Sequence, residues 1–225
     1  MSIAEKFEII ADEVYAAGKK AEYNAFWDNF QNNGERNDYR YAFAMWADDI
    51  FYPKHDITCQ AETTYMFLQS TIKNIKQRLI DLGVEFSMEG VTRCTSMFNS
   101  AKITHLPTID ISSCGTYTAS VLAYCNNLIE VKLIVSENNT FTTAFVNDFA
   151  LENLTIEGTI GQTGFNVQWS TKLSKASITS IVNALSSTTS GLTVTISKTA
   201  KEAAFTADEW SALIKTKSNW TISLV

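Results

Sequence analysis

Histidine is nearly absent from this chain of 225 residues, with only His55 and His105. The four cysteines, Cys59, Cys94, Cys114 and Cys125, are widely spaced and form no C-x-x-C pair. An ordinary zinc site is therefore not expected, and the thiols read as reduced and structural. Charge is also sparse. Charged residues make up 19% of the chain, the net charge is −6, and the best basic cluster is Lys19-Lys20. Duplex nucleic acid and anionic membranes are repelled by such a balance more than they are steered in. No apolar run approaches the roughly 18 to 20 residues of a membrane span, Leu133-Ile-Val135 being typical. The start, Met1-Ser-Ile-Ala-Glu-Lys-Phe7, puts charges where a secretory signal needs an apolar core of about 7 to 15 residues. A soluble chain without an export signal is expected. What abounds is hydrophobic side chain, 45% of the sequence, enough to bury the core of one large domain or two small ones.

One pattern occurs twice. Leu128-Ile-Glu-Val131-Lys-Leu133 and Leu151-Glu-Asn-Leu154-Thr-Ile156 share the form L-x-x-[LV]-x-[LI], 23 residues apart, each preceded six residues earlier by an apolar anchor, Leu122 or Phe145. Extended backwards, the anchors are Phe43, Phe67, Phe98, Leu122 and Phe145, at steps of 24, 31, 24 and 23. A period of 20 to 29 with this signature is that of leucine-rich repeats, in which a short strand lines one face of a solenoid. The longer step implies an insertion, read as a helix over Lys73 to Leu82 ending at Gly83. A one-residue slip near Pro107 is expected to be absorbed as a bulge.

The flanks read differently. Residues 3 to 32 are expected to be helical, with Ile3, Phe7, Ile10, Val14, Ala17 and Ala21 at heptad spacing. Such a seam either self-associates or lies on its own domain. Tyr23, Phe26, Trp27 and Phe30 then form an aromatic face that needs burial, before Asn32-Asn33-Gly34 stops the helix. The aromatic stretch through Tyr39, Tyr41, Phe43 and Trp46 reads as short extended segments capping the repeats, or as a ligand platform. Beyond Ile156, Glu157 to Gly164 is a turn lacking any P-loop signature. A helix from Ser174, a strand at Leu192 to Ile196, a helix opened by the capping box Thr206-Ala-Asp-Glu209, and a last strand with Trp220, Ile222 and Leu224 complete the chain. The expected organisation is an N-terminal helix over 1–34, an aromatic-rich cap over 35–64, leucine-rich repeats over 65–157, and a strand-helix-strand cap over 158–225, in the α/β class.

The frame of Phe98, Ile103, Leu106 and Ile109, then Leu122, Cys125, Leu128, Val131 and Leu133, then Phe145, Leu151, Leu154 and Ile156, resembles the BspA-like class of leucine-rich repeats. The block from Leu173-Ser-Lys-Ala-Ser-Ile178 through Trp220-Thr-Ile-Ser-Leu-Val225 is similar to the C-terminal cap of that class in gut Firmicutes and their phages. Gly18-Lys-Lys-Ala-Glu-Tyr-Asn-Ala-Phe-Trp27 and Tyr41-Ala-Phe43 resemble the opening of a subset associated with phage or prophage structural genes. The 31-residue step, the missing cysteine in most repeats and a repeat number much lower than in large surface adhesins depart from the pattern of that class. The resemblance implies a short solenoid and a virion component displayed for host or surface contact. The alternative is a bacterial cell-surface adhesin or interaction scaffold.

Residue chemistry points away from catalysis. His105, beside Pro107, reads as a turn or surface residue rather than the base of a thiolate pair. Asp48, Asp49, Asp110, Glu130 and Glu137 offer no acid and base pairing. No enzymatic activity and no cofactor or metal are expected. Between the aliphatics of the repeated strands, Glu130, Lys132, Asn153 and Thr155 face outward and form the candidate binding face, suited to a protein or a surface glycan. Virion proteins, and further copies of the chain through the N-terminal helix, are the other expected partners. The expected location is the virion, or the host cytoplasm during assembly, with the cell surface as the alternative.

Overall fold

Backbone turns, more than strands, carry the regularity of the first two thirds of the chain. A computed structural model describes residues 18, 21, 22, 24–28 and 39–225. Around each anchor, residues two before and two after have positive φ: Tyr41 and Met45, Tyr65 and Gln69, Ser96 and Ser100, Ser120 and Tyr124, Thr143 and Asn147. Among the described residues, ten of the eleven non-glycine positive-φ positions fall in this pattern, so the strain belongs to the architecture and not to isolated outliers. Met66 N–H donates to Thr63 O (3.1 Å) and Ser70 N–H to Phe67 O (3.1 Å), with Tyr65 and Gln69 third in their turns. That is the hydrogen-bonded type II arrangement.

The intervening N–H groups bond onward to the next layer. Phe67 N donates to Met97 O (2.7 Å), Phe98 N to Val121 O (2.9 Å), Leu122 N to Ala144 O (3.2 Å) and Tyr124 N to Val146 O (2.7 Å). Alternate amides thus close their own turn or join the neighbouring one, which satisfies buried backbone and offsets a left-handed cost of about 1 to 2 kcal/mol per residue. The anchors stack beneath. Phe67 lies parallel to Phe98 with centroids 5.1 Å apart, Phe43 packs on Phe67 at 5.1 Å, and Trp27 stacks on Phe43 at 5.6 Å.

The strands do not continue this regularity. β1 (Ile57–Thr58) pairs with β3 (Phe86–Ser87), and β2 (Ala61–Glu62) with β4 (Val91–Arg93). β5 (His105–Asp110), β6 (Glu130–Val135) and β7 (Asn153–Gly158) form one three-stranded sheet. β8 (Asn166–Val167), β9 (Leu192–Ile196) and β10 (Trp220–Leu224) form another. All pairings are parallel. The expected leucine-rich-repeat solenoid, with one strand-lined face through 65–157, is therefore overturned: the described strands lie in four separate sheets, none wider than three strands. Two irregularities accompany this division. Helix α1 (Ile75–Leu82), closed by Gly83 at φ 63°, occupies the long step before β5, and the β2 to β4 register slips between Ala61 and Glu62. What forms is a mixed α/β fold of small parallel sheets. The expected bulge at Pro107 is present, since the β5 to β6 register changes between His105 and Thr108.

Three further expectations are corrected or lie elsewhere. Ile3, Phe7, Ile10, Val14 and Ala17 are outside the described residues, while Ala21 is helical and exposed. Residues 24–28 are helical, with Trp27 fully buried and its indole N–H donating to Ile50 O at 3.0 Å. The aromatic stretch is not extended: Phe43 N donates to Met66 O and Met45 N to Leu68 O, both at 2.8 Å, so residues 40–45 form the same turn as the later anchors.

At the other end, α2 (Lys175–Ala184) covers the edge of β7. Ser177 Oγ accepts from Leu154 N and donates to Glu152 O, both at 2.9 Å, and Ser180 Oγ accepts from Ile156 N at 2.8 Å. Helix hydroxyls thus replace the next strand, removing an edge open to pairing. Ile178, Ile181 and Val182 form the buried apolar stripe of α2, with Ser177 buried beside them. Between β9 and β10 there are two helices where one was expected, α3 (Lys198–Ala204) and α4 (Ala207–Lys215). The Thr206–Glu209 capping box opens α4.

Candidate functional site

Alternation along β6 and β7 sorts their side chains. Val131, Leu133, Leu154 and Ile156 are buried, which leaves Glu130, Lys132, Asn153 and Thr155 on the opposite face of the sheet. The register places Glu130 beside Asn153 and Lys132 beside Thr155, so the four expected residues meet on one surface. Thr108 adjoins Lys132 from β5. The charges are compensated locally. Lys76 of α1 pairs with Glu130, and Lys132 Nζ lies 2.6 Å from Glu157. Asn153, Thr155 and Thr108 make no side-chain hydrogen bond among the described residues and remain the uncommitted polar groups of this face. Beside them a groove of about 480 Å³ runs between α1 and β5, walled by Ile80, Val84, Phe86 and Pro107. Ile80 is 62% exposed at its rim.

The titratable groups with displaced protonation lie in the interior. All four thiols are free and buried. Burial pushes the thiols of Cys59 and Cys125 up, and in Cys125 the nearby Asp148 adds to the effect. The Cys94 thiol is raised by its hydrogen bond with Cys114 and then by burial. These shifts oppose thiolate formation. Asp148 is completely buried, its Oδ1 accepting from Cys125 N at 3.0 Å while Oδ2 has no partner. Burial raises its carboxyl well above the usual range, partly countered by that N–H. His105 Nδ1 sits 3.0 Å from Thr104 Oγ1. Among the described residues no group of three or more His, Cys, Asp and Glu side chains converges to hold a metal, and no helix is long and apolar enough to cross a membrane.

A second concavity lies between the turns and the C-terminal sheet. Thr193 and Thr195 of β9 and Asn166 of β8 face Thr142 and Thr143 across a cavity of about 300 Å³, with Trp169 in its wall. Its floor is Phe165, which packs edge-on against Phe141 at 4.8 Å. No family model, curated protein or solved structure matches this chain. The site must be read from its own geometry. Sequence reading missed this cavity because its walls come from three separated segments. One signal was available: Leu192-Thr-Val194-Thr-Ile196 alternates, which puts both threonines on the solvent face.

Proposed function

We propose that the protein is a non-enzymatic binding component of a phage or prophage virion, presenting the outer face of β5, β6 and β7 to a protein on the host or another surface. The observation that carries this reading is the meeting of Lys132, Asn153 and Thr155 with Thr108 on one face whose neighbouring edge Ser177 and Ser180 already close. A partner then meets side chains, because Ser177 and Ser180 already take the Leu154 and Ile156 N–H groups that strand addition at β7 would use. Local pairing of Glu130 with Lys76 and of Lys132 with Glu157 favours shape and hydrogen bonding over long-range charge steering. Thiols held away from the thiolate form support binding rather than nucleophilic chemistry.

The virion placement rests on the resemblance of the N-terminal segment to phage-associated chains. Mass spectrometry of gradient-purified virions is expected to detect the protein; its presence in disrupted host cells but never in virions would refute that placement. The face itself is tested with Asn153→Ala/Thr155→Ala, assayed for binding to intact host cells. A loss of about tenfold or more, corresponding to about 1.4 kcal/mol, is expected with unchanged melting. Unchanged binding would refute the face.

A further inference from the structure

The cavity beside β8 and β9 shares no residue with the β5 to β7 face and goes beyond the reading above. Its lining contains no charged side chain. Hydroxyls of Thr142, Thr163, Thr193 and Thr195, the Asn166 side-chain N–H groups and the Trp169 indole N–H have no hydrogen-bond partner among the described residues. These six residues all line one concavity.

The groups are also held in place. Thr193 and Thr195 sit on a paired strand, and Asn166 is the direct neighbour of Thr195 in the register. Asn166 Oδ1 accepts from Gln168 N at 3.0 Å, which fixes the amide and leaves its N–H groups uncommitted. Behind them Val167, Val194 and Ile196 are buried, so the platform is backed by core. Across β10, Thr221 adjoins Thr193 and Ser223 adjoins Thr195, extending the hydroxyl rows beyond the cavity mouth.

We propose that this cavity is a binding site for a neutral saccharide, accommodating one or two pyranose rings of a glycan. Ligand chemistry follows from the lining. Without charge it offers nothing to a phosphate, carboxylate or cation. The hydroxyls and the Asn166 amide are set among the apolar surfaces of Val146, Phe165, Trp169 and the threonine methyls, an amphipathic lining that matches a ring with both C–H faces and hydroxyls. Each threonine hydroxyl both donates and accepts, and a polyol ring presents groups of the same dual character. Trp169 supplies a flat apolar wall against which the C–H face of a pyranose packs while the indole N–H stays available. A volume of about 300 Å³ lies at the lower end of the usual range for small-molecule sites, which suits one or two rings and not a buried polymer.

The test is titration of the full chain with glucose, galactose, N-acetylglucosamine, maltose, cellobiose and chitobiose, followed by saturation-transfer NMR and tryptophan fluorescence. At least one is expected to bind with a Kd of about 1 mM or tighter. Trp169→Ala and the isosteric Thr195→Val should each weaken that binding about tenfold without shifting the melting temperature, while Thr155→Val on the other face should leave it unchanged. Absence of transfer from all six sugars at about 10 mM overturns the proposal, as does binding that survives both cavity substitutions. Loss of cell attachment in Asn153→Ala/Thr155→Ala with sugar binding intact would keep the two sites distinct.

Discussion

Replacing Asn139 by alanine should unfasten the joint between two layers of the fold. The side chain is fully buried. Its Oδ1 accepts from Ser136 N at 2.7 Å, and its Nδ2 donates to Ile111 O at 2.8 Å and Gly115 O at 3.3 Å. The consequences differ by partner. Ile111 O also accepts from Cys114 N and Gly115 O from Thr140 N, so each carbonyl retains one bond and loses about 0.5 to 1 kcal/mol. Ser136 N has no other partner among the described residues, and its orphaning costs about 1 to 2 kcal/mol. A loss of about 3 kcal/mol follows, which in a chain of this size lowers the melting temperature by about 6 to 12 °C. Circular dichroism melting of Asn139→Ala against the exposed neighbour Asn138→Ala measures it, the latter changing stability by less than about 0.5 kcal/mol. Asn139→Asp should be worse at neutral pH, because it turns two donors into lone pairs and buries a charge, and should recover partly on acidification. If Asn139→Ala melts within about 1 °C of the parent, the joint does not hold the layers and the reasoning fails.

Asp148 tests burial of charge. Its carboxyl is raised in the folded state, so folding favours the protonated form: as pH rises through the ordinary carboxylate range the unfolded chain ionises first, and stability falls. Asp148→Asn should melt higher at neutral pH and show a flatter dependence above about pH 4, where the unfolded carboxyl ionises; an unchanged slope would remove Asp148 as its source. Gly158 has φ +100°, and a Cβ there would lie 2.0 Å from Val135 O. Gly158→Ala should therefore separate the ends of β6 and β7 and cost about 2 kcal/mol or more by urea unfolding; a neutral result would show that the strand end yields freely. Ser177→Ala leaves Leu154 N without its acceptor and should cost about 1 to 3 kcal/mol, with faster hydrogen exchange at Leu154; slow exchange there would refute the edge closure by α2.

Periodicity made part of this fold legible. The 23- and 24-residue steps between anchors locate the stacked turns, because a phenylalanine or leucine must return to the same depth in each layer, and five anchors do. Thr206-Ala-Asp-Glu209 specified its own helix start through contacts within four residues. Gly83 marked the end of α1 for the same local reason, a left-handed cap. Outward placement of Lys132, Asn153 and Thr155 followed from strand alternation alone.

Whether those strands joined into one sheet was not a local matter. It depended on where distant segments packed: α1 fills the long step ahead of β5, and the strands on either side of it lie in separate sheets. The positive-φ residues were equally hidden, since tyrosine, serine and methionine carry no left-handed preference and are held there by bonds to a layer 22 to 30 residues away. The pairing of Lys76 with Glu130 and the closure of β7 by serines of α2 required chain segments to meet across long separations. So did the threonine-lined cavity. The sequence by itself determined which residues are apolar at a fixed period and which stretches start and stop helices, because those depend on neighbours along the chain. Tertiary structure decided which edges close and which polar groups converge, because these depend on where distant segments pack.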